Sequence, residues 1–398
     1  MREHSPFTPG NPVPIELFVG RSDEIKEVIQ YLKRSAAGHQ ENIFLSGERG
    51  IGKSSLARYI RQLALFQENI LAVHVHLGGI REIDGVVFRI FNDLLKDTYK
   101  EKWFEKIKDY FGKNIQTVDL FGLAVTFRPP KENLQDLRAH FAEALMNIYD
   151  RIKDERKGIL IILDDLNGLA SSYEFANWYK SLVDYIATHY DSCPITFVLI
   201  GLPEIRDSMS QQQESLLRIF RVVNIDKLSD EEVNQFFTKA FDSVHIKVEP
   251  KAMQMIVHFS GGLPLLMHEI GDAVFWENID ETIDDDDAAK GIIRAASQIG
   301  EKYINPMVYR AIRSKRYKSI LAKIGENISY RFEKSEIEKK LPESEKSVFN
   351  NFLRAMREKG IIIQDLDEDR GHYKFVNELY FLYIVAMSFQ YKADKSKK

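Results

Sequence analysis

An α/β fold built on a parallel sheet is the architecture this sequence predicts, and three observations carry it. Residues 158–163 and 195–200 are unbroken apolar runs rich in Ile, Leu and Val. Such runs suit strands buried on both faces beneath a cover of helices. Apolar strands alternate with amphipathic helical segments through the first half of the chain, the order of an α/β layer structure. A glycine-rich turn at residues 47–52 joins a short strand to a helix.

Taken in order, residues 1–17 carry Pro6, Pro9, Pro12 and Pro14 and read as an extended N-terminal arm. The core is expected over residues 18–225. It opens with an amphipathic helix at 22–37, with Ser22 as cap and Glu24 and Glu27 near its positive end. A strand at 42–45, a helix at 53–66 and an alternating strand at 70–77 follow. Between this second strand and the third lies a long segment, 78–157, with helical stretches at 86–99 and 132–156. Around 115–127 it turns β-like, with Leu123, Val125 and Phe127 alternating. This insertion near 101–135 reads either as a helix–hairpin packed on the core or as an element that contacts a partner. Residues 226–298 form a helical lid, with helices at 229–241 and 250–278, ending in an acidic run at 280–287 that reads as a solvated linker. Residues 299–392 run helix (307–324), helix (335–340), helix (344–360) and hairpin (361–364 with 373–376, turning at 367–371). That order is the pattern of a winged helix. A basic tail, 393–398, closes the chain.

Composition excludes other classes. The 44% hydrophobic content is that of a globular protein and excludes a disordered or fibrous chain. The longest apolar runs, at 159–163, 197–200 and 381–387, fall far short of the ~18–20 residues that span a bilayer. With one cysteine, Cys193, no intrachain disulfide can form, and a cytoplasmic location is expected. The first residues contain no apolar stretch like a signal peptide. The net charge of −4 divides unevenly: residues 301–398 hold 21 Lys and Arg against 14 Asp and Glu, a net of +7, which leaves −11 on the remainder. A basic C-terminal segment suits either nucleic acid or docking onto the acidic remainder.

The strongest chemical signal is Gly47-Glu48-Arg49-Gly50-Ile51-Gly52-Lys53-Ser54, followed by Ser55, which fits G-x-x-x-x-G-K-[ST]. The glycines let the backbone wrap so that successive N–H groups face phosphate oxygens. The helix that starts near Lys53 adds the positive end of its dipole. Lys53 should reach the β- and γ-phosphates, and the Ser54 hydroxyl should ligate Mg²⁺. A carboxylate at the end of another buried strand should complete the site, and Asp164-Asp165 after residues 159–163 supplies it. Asp164 is expected to hold Mg²⁺ through water, and Asp165 to orient the attacking water. A nucleoside triphosphate is the expected ligand.

Phe18-Val19-Gly20-Arg21 with Glu24, the glycine-rich loop, the Asp164-Asp165 strand and Gly261-Gly262-Leu263-Pro264 occur in this order. The set resembles AAA+ ATPases of the origin-initiator group and their relatives, the STAND switch ATPases. The resemblance implies a P-loop NTPase sheet, a helical lid and a C-terminal winged-helix domain. It implies ATP rather than GTP, and adenine contacts from Val19, Gly20 and Pro264. It also makes Arg218 or Arg221 a candidate arginine finger toward a neighbouring subunit's γ-phosphate, against the alternative of a surface arginine or one paired to a carboxylate.

Three departures from the family pattern accord with slow hydrolysis. The acidic strand ends Asp-Asp where typical AAA+ proteins have Asp-Glu, so Asp165 must hold water from farther back; errors of about 1 Å can cost ~100-fold in rate. The run 195–200 leads into Gly201-Leu202-Pro203-Glu204 without a polar sensor. The lid helix after Pro264 reads Leu265-Leu266-Met267-His268, without an arginine.

Other candidates are weaker. His74 and His76 share one face of a strand, but neither a Cys nor a third His is close in sequence, so core or surface histidines are the expectation rather than a metal site. Cys193 precedes Pro194 with no motif around it. The function expected is an ATP-binding, slowly hydrolysing switch ATPase whose conformation or assembly follows ATP and ADP, with a homo-oligomer or an effector protein as partner and no membrane contact. The alternative is a DNA-binding initiator or transposition helper. Lys346, Arg354, Arg357 and Lys359 on the third helix favour DNA; Asp365, Asp367, Glu368 and Asp369 in the wing, against a lone Arg370, oppose it.

Overall fold

In the computed structural model, residues 4–112, 115–117, 125–127, 129–366 and 368–396 are described. Leu123, Asp367 and the end of the basic tail lie outside them. The chain divides into two units, residues 14–226 and residues 1–13 with 227–398.

In the first unit, α1 (Ser22–Ala36) leads to β1 (Glu41–Gly47), α2 (Lys53–Phe66), β2 (Leu71–His76) and α3 (Ile83–Thr98). The insertion supplies α4 (Phe104–Phe111), β3 (Ile115–Thr117), β4 (Val125–Phe127) and α5 (Lys131–Ala139). Then come α6 (Phe141–Ile152), β5 (Ile159–Asp164), α7 (Tyr173–His189), β6 (Ile195–Gly201), α8 (Pro203–Gln212), α9 (Leu216–Ile219) and β7 (Arg221–Ile225). The sheet order is β2-β5-β6-β1-β7, and every pairing in it is parallel. Strands β1, β5 and β6 are buried along their whole lengths, as their apolar runs require. The edge strands β2 and β7 keep exposed positions. Their outer flanks leave a ladder unpaired, which tolerates polar residues such as Arg221 and Asn224.

Large aromatics fill the layer between sheet and helices, among them Phe44, Phe91, Phe141, Tyr179 and Phe197. Among these buried aromatics, the Tyr179 hydroxyl donates to Asn42 Oδ1 at 2.8 Å. Such pairing avoids the cost of a buried, unsatisfied hydroxyl. In the insertion, Phe127 is fully buried against Phe91 and Phe111, so this end of the hairpin is packed on the core.

The second unit begins with α10 (Asp230–Asp242), β8 (Lys247–Val248), α11 (Pro250–Ser260), α12 (Pro264–Glu277), β9 (Thr282–Ile283) and α13 (Asp285–Ile299). A π-helix spans Gly300–Arg310. After it come α14 (Lys315–Glu326), β10 (Arg331–Glu333), α15 (Lys334–Lys339), α16 (Glu343–Glu358), β11 (Ile362–Gln364), β12 (His372–Phe375) and α17 (Glu378–Ser396). Strands β10-β12-β11 form a small antiparallel sheet. With α14, α15 and α16 it encloses Ile320, Phe332, Phe349, Phe352 and Phe375, an arrangement compatible with a winged helix. No helix among the described residues is long and apolar enough to cross a membrane.

Several local expectations are corrected. Ser22 is the first residue of α1 rather than its cap; the cap is Arg21, at φ 62°. The acidic run is no linker. Asp284 accepts hydrogen bonds from the N–H groups of Asp286 and Asp287, and the run forms β9 and the first turn of α13, where carboxylates oppose the helix dipole. The helix expected at 307–324 is two elements, because Pro306 lies in the π-helix and α14 restarts at a Ser314 cap. The arm is not free: Phe7 is buried within its unit among Phe236, Phe241 and His268. Asp365 is buried and ion-paired with Arg331 at 3.0 Å and Lys374 at 2.8 Å, so its charge is neutralised inside the fold rather than presented by the wing.

Candidate functional site

Strand β1 ends at Gly47, β5 at Asp164 and β6 at Gly201, all at the same edge of the sheet. Carboxyl ends of parallel strands are where α/β sheets build ligand crevices. The loop leaving β1 turns through Gly50 at φ 80° and Gly52 at φ 94°, the left-handed region in which a Cβ is strained. Gly52 is also the cap of α2, so the free N–H groups of the first helical turn face the loop. Ile51, 1% exposed, anchors the loop to the interior.

A second element fixes this loop. The buried Arg21 guanidinium donates to the Ile51 carbonyl at 3.2 Å and to Glu24 Oε1 at 3.2 Å. Phe18 stacks on Tyr59 of α2 with ring centroids 4.5 Å apart. The segment holding Val19 and Gly20 is thereby tied both to the loop and to the helix behind it. The loop-clamping role of Arg21 was missed in the sequence; its signal was the Arg21–Glu24 spacing.

The Lys53 ammonium donates to the carbonyls of Gly47 and Glu48, each at 2.7 Å. Burial pushes its pKa down, while the charges of Asp164, Glu48 and Glu204 work to raise it. Glu204, in the first turn of α8 after β6, is thus an acidic neighbour of Lys53. Asp164 is 6% exposed. Burial raises its pKa, but hydrogen bonds from His74 and Ser54 and the influence of His74 and His76 outweigh it and hold the carboxyl below its usual range. Asp164 Oδ1 accepts the Asp165 N–H at 2.9 Å, and Oδ2 lies 3.0 Å from His74 Nε2 and 3.8 Å from His76 Nδ1. Ser54 and Asp164 together offer hard oxygen donors, the set that fits Mg²⁺.

Asp165 is exposed, at φ 61°. Its Oδ2 lies 2.8 Å from where a Cβ on Gly78 would stand, so its carboxylate reaches toward the loop after β2. Arg218 lies in the last turn of α9 and is exposed. Arg221 begins β7, paired with Ile43 of β1 and far along the strand from Gly47. It lies 3.4 Å from Glu41 and over the Tyr31 ring. These two arginines are therefore not gathered with Lys53 and Asp164 in their own chain.

In the second unit, Pro264 opens α12. His268 on that helix is buried, and its Nδ1 accepts the Thr8 N–H at 3.1 Å; burial pushes its pKa down to about 4. Cys193 is buried and its thiol is pushed up to about 12, which leaves it inert as a nucleophile.

Residues 17–179 match the AAA ATPase domain family. An uncharacterized HTH-type transcriptional regulator of Methanocaldococcus jannaschii is 24% identical over 282 residues, covering 65% of this chain and 64% of that protein, so the match spans less than two thirds of the relative's length. The Walker-type ATPase of Pyrococcus abyssi has a TM-score of 0.54 at 16% identity, covering 92% of this chain and 96% of that one. The ORC2 protein of Aeropyrum pernix, in its ADPNP-ADP complexes, has a TM-score of 0.58 at 11% identity, covering 98% and 97%. Over residues 17–179 the chain is thus similar to AAA ATPase domains, and its fold resembles that of the ORC2 protein.

Proposed function

We propose that this chain is an ATP-driven switch that changes conformation or assembly between its ATP and ADP states and hydrolyses ATP slowly to reset. The observation that carries it is the meeting of Lys53, Ser54 and Asp164 at one sheet edge beside a loop of left-handed glycines. Backbone N–H groups of residues 48–54 and the start of α2 receive the phosphates. Lys53 exchanges its two carbonyl partners for phosphate oxygens. Ser54 and Asp164 hold Mg²⁺, which when bound neutralises phosphate charge. Asp165 orients the attacking water. Val19 and Gly20 contact the adenine, and Arg218 or Arg221 completes a neighbour's site in an assembled form. The short Asp165 side chain and a lid helix whose His268 is turned into its own unit support slow turnover.

Light scattering with an ATP analogue, with ADP and with no nucleotide tests the switch. Association in the ATP state, lost in Arg218→Ala or Arg221→Ala, is expected; one size in all three states removes the assembly reading.

A second reading, DNA binding through a winged helix, is favoured by Arg354 and Arg357, exposed three residues apart on α16, and by the internal pairing of Asp365. The relative's name as an HTH-type transcriptional regulator supports it. Duplex binding that weakens steeply with salt, and less steeply in Arg354→Ala/Arg357→Ala, is the expected mark.

A further inference from the structure

We propose that His74, His76 and Asp164 form a binding site for a transition-metal cation of the zinc class, distinct in its donor set from the oxygen site for Mg²⁺. The two imidazoles stand on the same face of β2, two residues apart, with ring centroids at 4.4 Å. Strand β2 pairs with β5 in a register that sets His76 beside Asp164, so the third donor comes from a neighbouring strand 88 or more positions away in the chain. One ligand atom from each residue lies within 4.8 Å of the other two.

The geometry suits a metal. Donors around a tetrahedral zinc at ~2.0–2.1 Å lie about 3.3 Å from one another. His74 Nε2 and His76 Nδ1 lie 3.0 and 3.8 Å from the same oxygen, Asp164 Oδ2, on either side of that spacing. The other oxygen, Oδ1, is held by the Asp165 N–H at 2.9 Å, which orients the carboxylate so that Oδ2 faces the imidazoles. His74 and Asp164 are nearly covered, with side chains 10% and 8% exposed, whereas His76 is 61% exposed. The cluster therefore has two fixed donors and one at the solvent edge, by which an ion can enter, and a fourth position can be filled by water. Two nitrogen donors and one carboxylate select a borderline cation over Mg²⁺.

Occupancy has a consequence that rests on Asp164 serving the nucleotide's cation. A metal held by Oδ2 and both imidazoles draws that carboxylate toward β2, so zinc-class ions slow ATP turnover.

Co²⁺ serves as the spectroscopic probe, titrated into the full chain without nucleotide. The parent is expected to bind one Co²⁺ with the visible absorption of a low-coordinate nitrogen–oxygen site, and Zn²⁺ should abolish the band. His76→Ala, an exposed change that spares the core, should weaken Co²⁺ at least about tenfold, and Asp164→Asn should do the same. Equal band and affinity in the parent and His76→Ala, or a parent without the band, would overturn the site. This readout is independent of any ATPase activity. In a separate arm at fixed Mg²⁺, Zn²⁺ should inhibit ATP turnover of the parent and inhibit His76→Ala at least about tenfold less potently; equal inhibition, or none in the parent, overturns the inhibitory consequence while the Co²⁺ result still judges the site.

Discussion

Replacing Arg21 by Ala should loosen the phosphate loop without touching a phosphate. The guanidinium is 6% exposed and donates to the Ile51 carbonyl and to Glu24, both at 3.2 Å. A hydrogen bond from a charged donor is worth about 1.5–3 kcal/mol, and a buried carbonyl left without its partner costs about 1–3 kcal/mol. The Glu24 pair is partly screened and adds at most about 1 kcal/mol. Since these terms overlap, a net loss of about 2–4 kcal/mol is expected, which in a unit of this size lowers the melting temperature by roughly 5–15 °C. Part of the loss falls on the loop itself, so affinity for a non-hydrolysable ATP analogue should drop about tenfold, or about 1.4 kcal/mol. Arg21→Lys should be intermediate, because one ammonium cannot reproduce the fork that reaches two acceptors. Calorimetric titration alongside thermal melting separates the two effects. A folded Arg21→Ala chain that binds the analogue as tightly as the parent would refute the clamp.

Asp165→Ala should lower single-turnover hydrolysis by about 10–100-fold with analogue affinity unchanged; parental turnover would mean that another group activates water. His268, with a pKa pushed down to about 4, makes the second unit acid-sensitive. The unfolded imidazole titrates near 6.5, so between about pH 6.5 and 4 the unfolded chain binds the extra proton and stability falls as pH falls, by at most about 3 kcal/mol. In His268→Gln the drop in melting temperature between pH 7 and 5.5 should shrink; an unchanged drop would place the sensitivity elsewhere.

What the sequence showed well was whatever is written locally. Strands β1, β5 and β6 are buried on both faces, so their apolar runs declare them without ambiguity. The glycine loop and the start of α2 at Lys53 likewise follow from neighbouring residues. Strand β7 was hidden because an edge strand buries only alternate positions, and Arg221 and Asn224 interrupt its apolar pattern. The acidic run misled because carboxylates that start a helix and carboxylates in a hydrated linker have the same composition; only the Asp284 cap distinguishes them. Proximity across strands was illegible for a different reason. His74 and His76 lacked a third donor in the sequence around them, and the β2–β5 register supplies Asp164. Phe7 gave no periodic signal, since a single aromatic in a proline-rich arm can be buried only by a surface formed elsewhere in the chain.

The central claim is that the loop from Gly47 to Ser54 binds ATP through Lys53 and supports its hydrolysis. Calorimetric titration of the parent and Lys53→Ala with ATP and Mg²⁺, followed by phosphate release from the same samples, tests it directly. Removing two charge-assisted contacts to phosphate, each worth about 1.5–3 kcal/mol, should weaken ATP by at least about 100-fold and abolish phosphate release. The nucleotide-free chain, which also loses the Lys53 hydrogen bonds to the Gly47 and Glu48 carbonyls, should still melt cooperatively as a folded protein. A folded Lys53→Ala chain that binds and hydrolyses ATP like the parent would contradict the account.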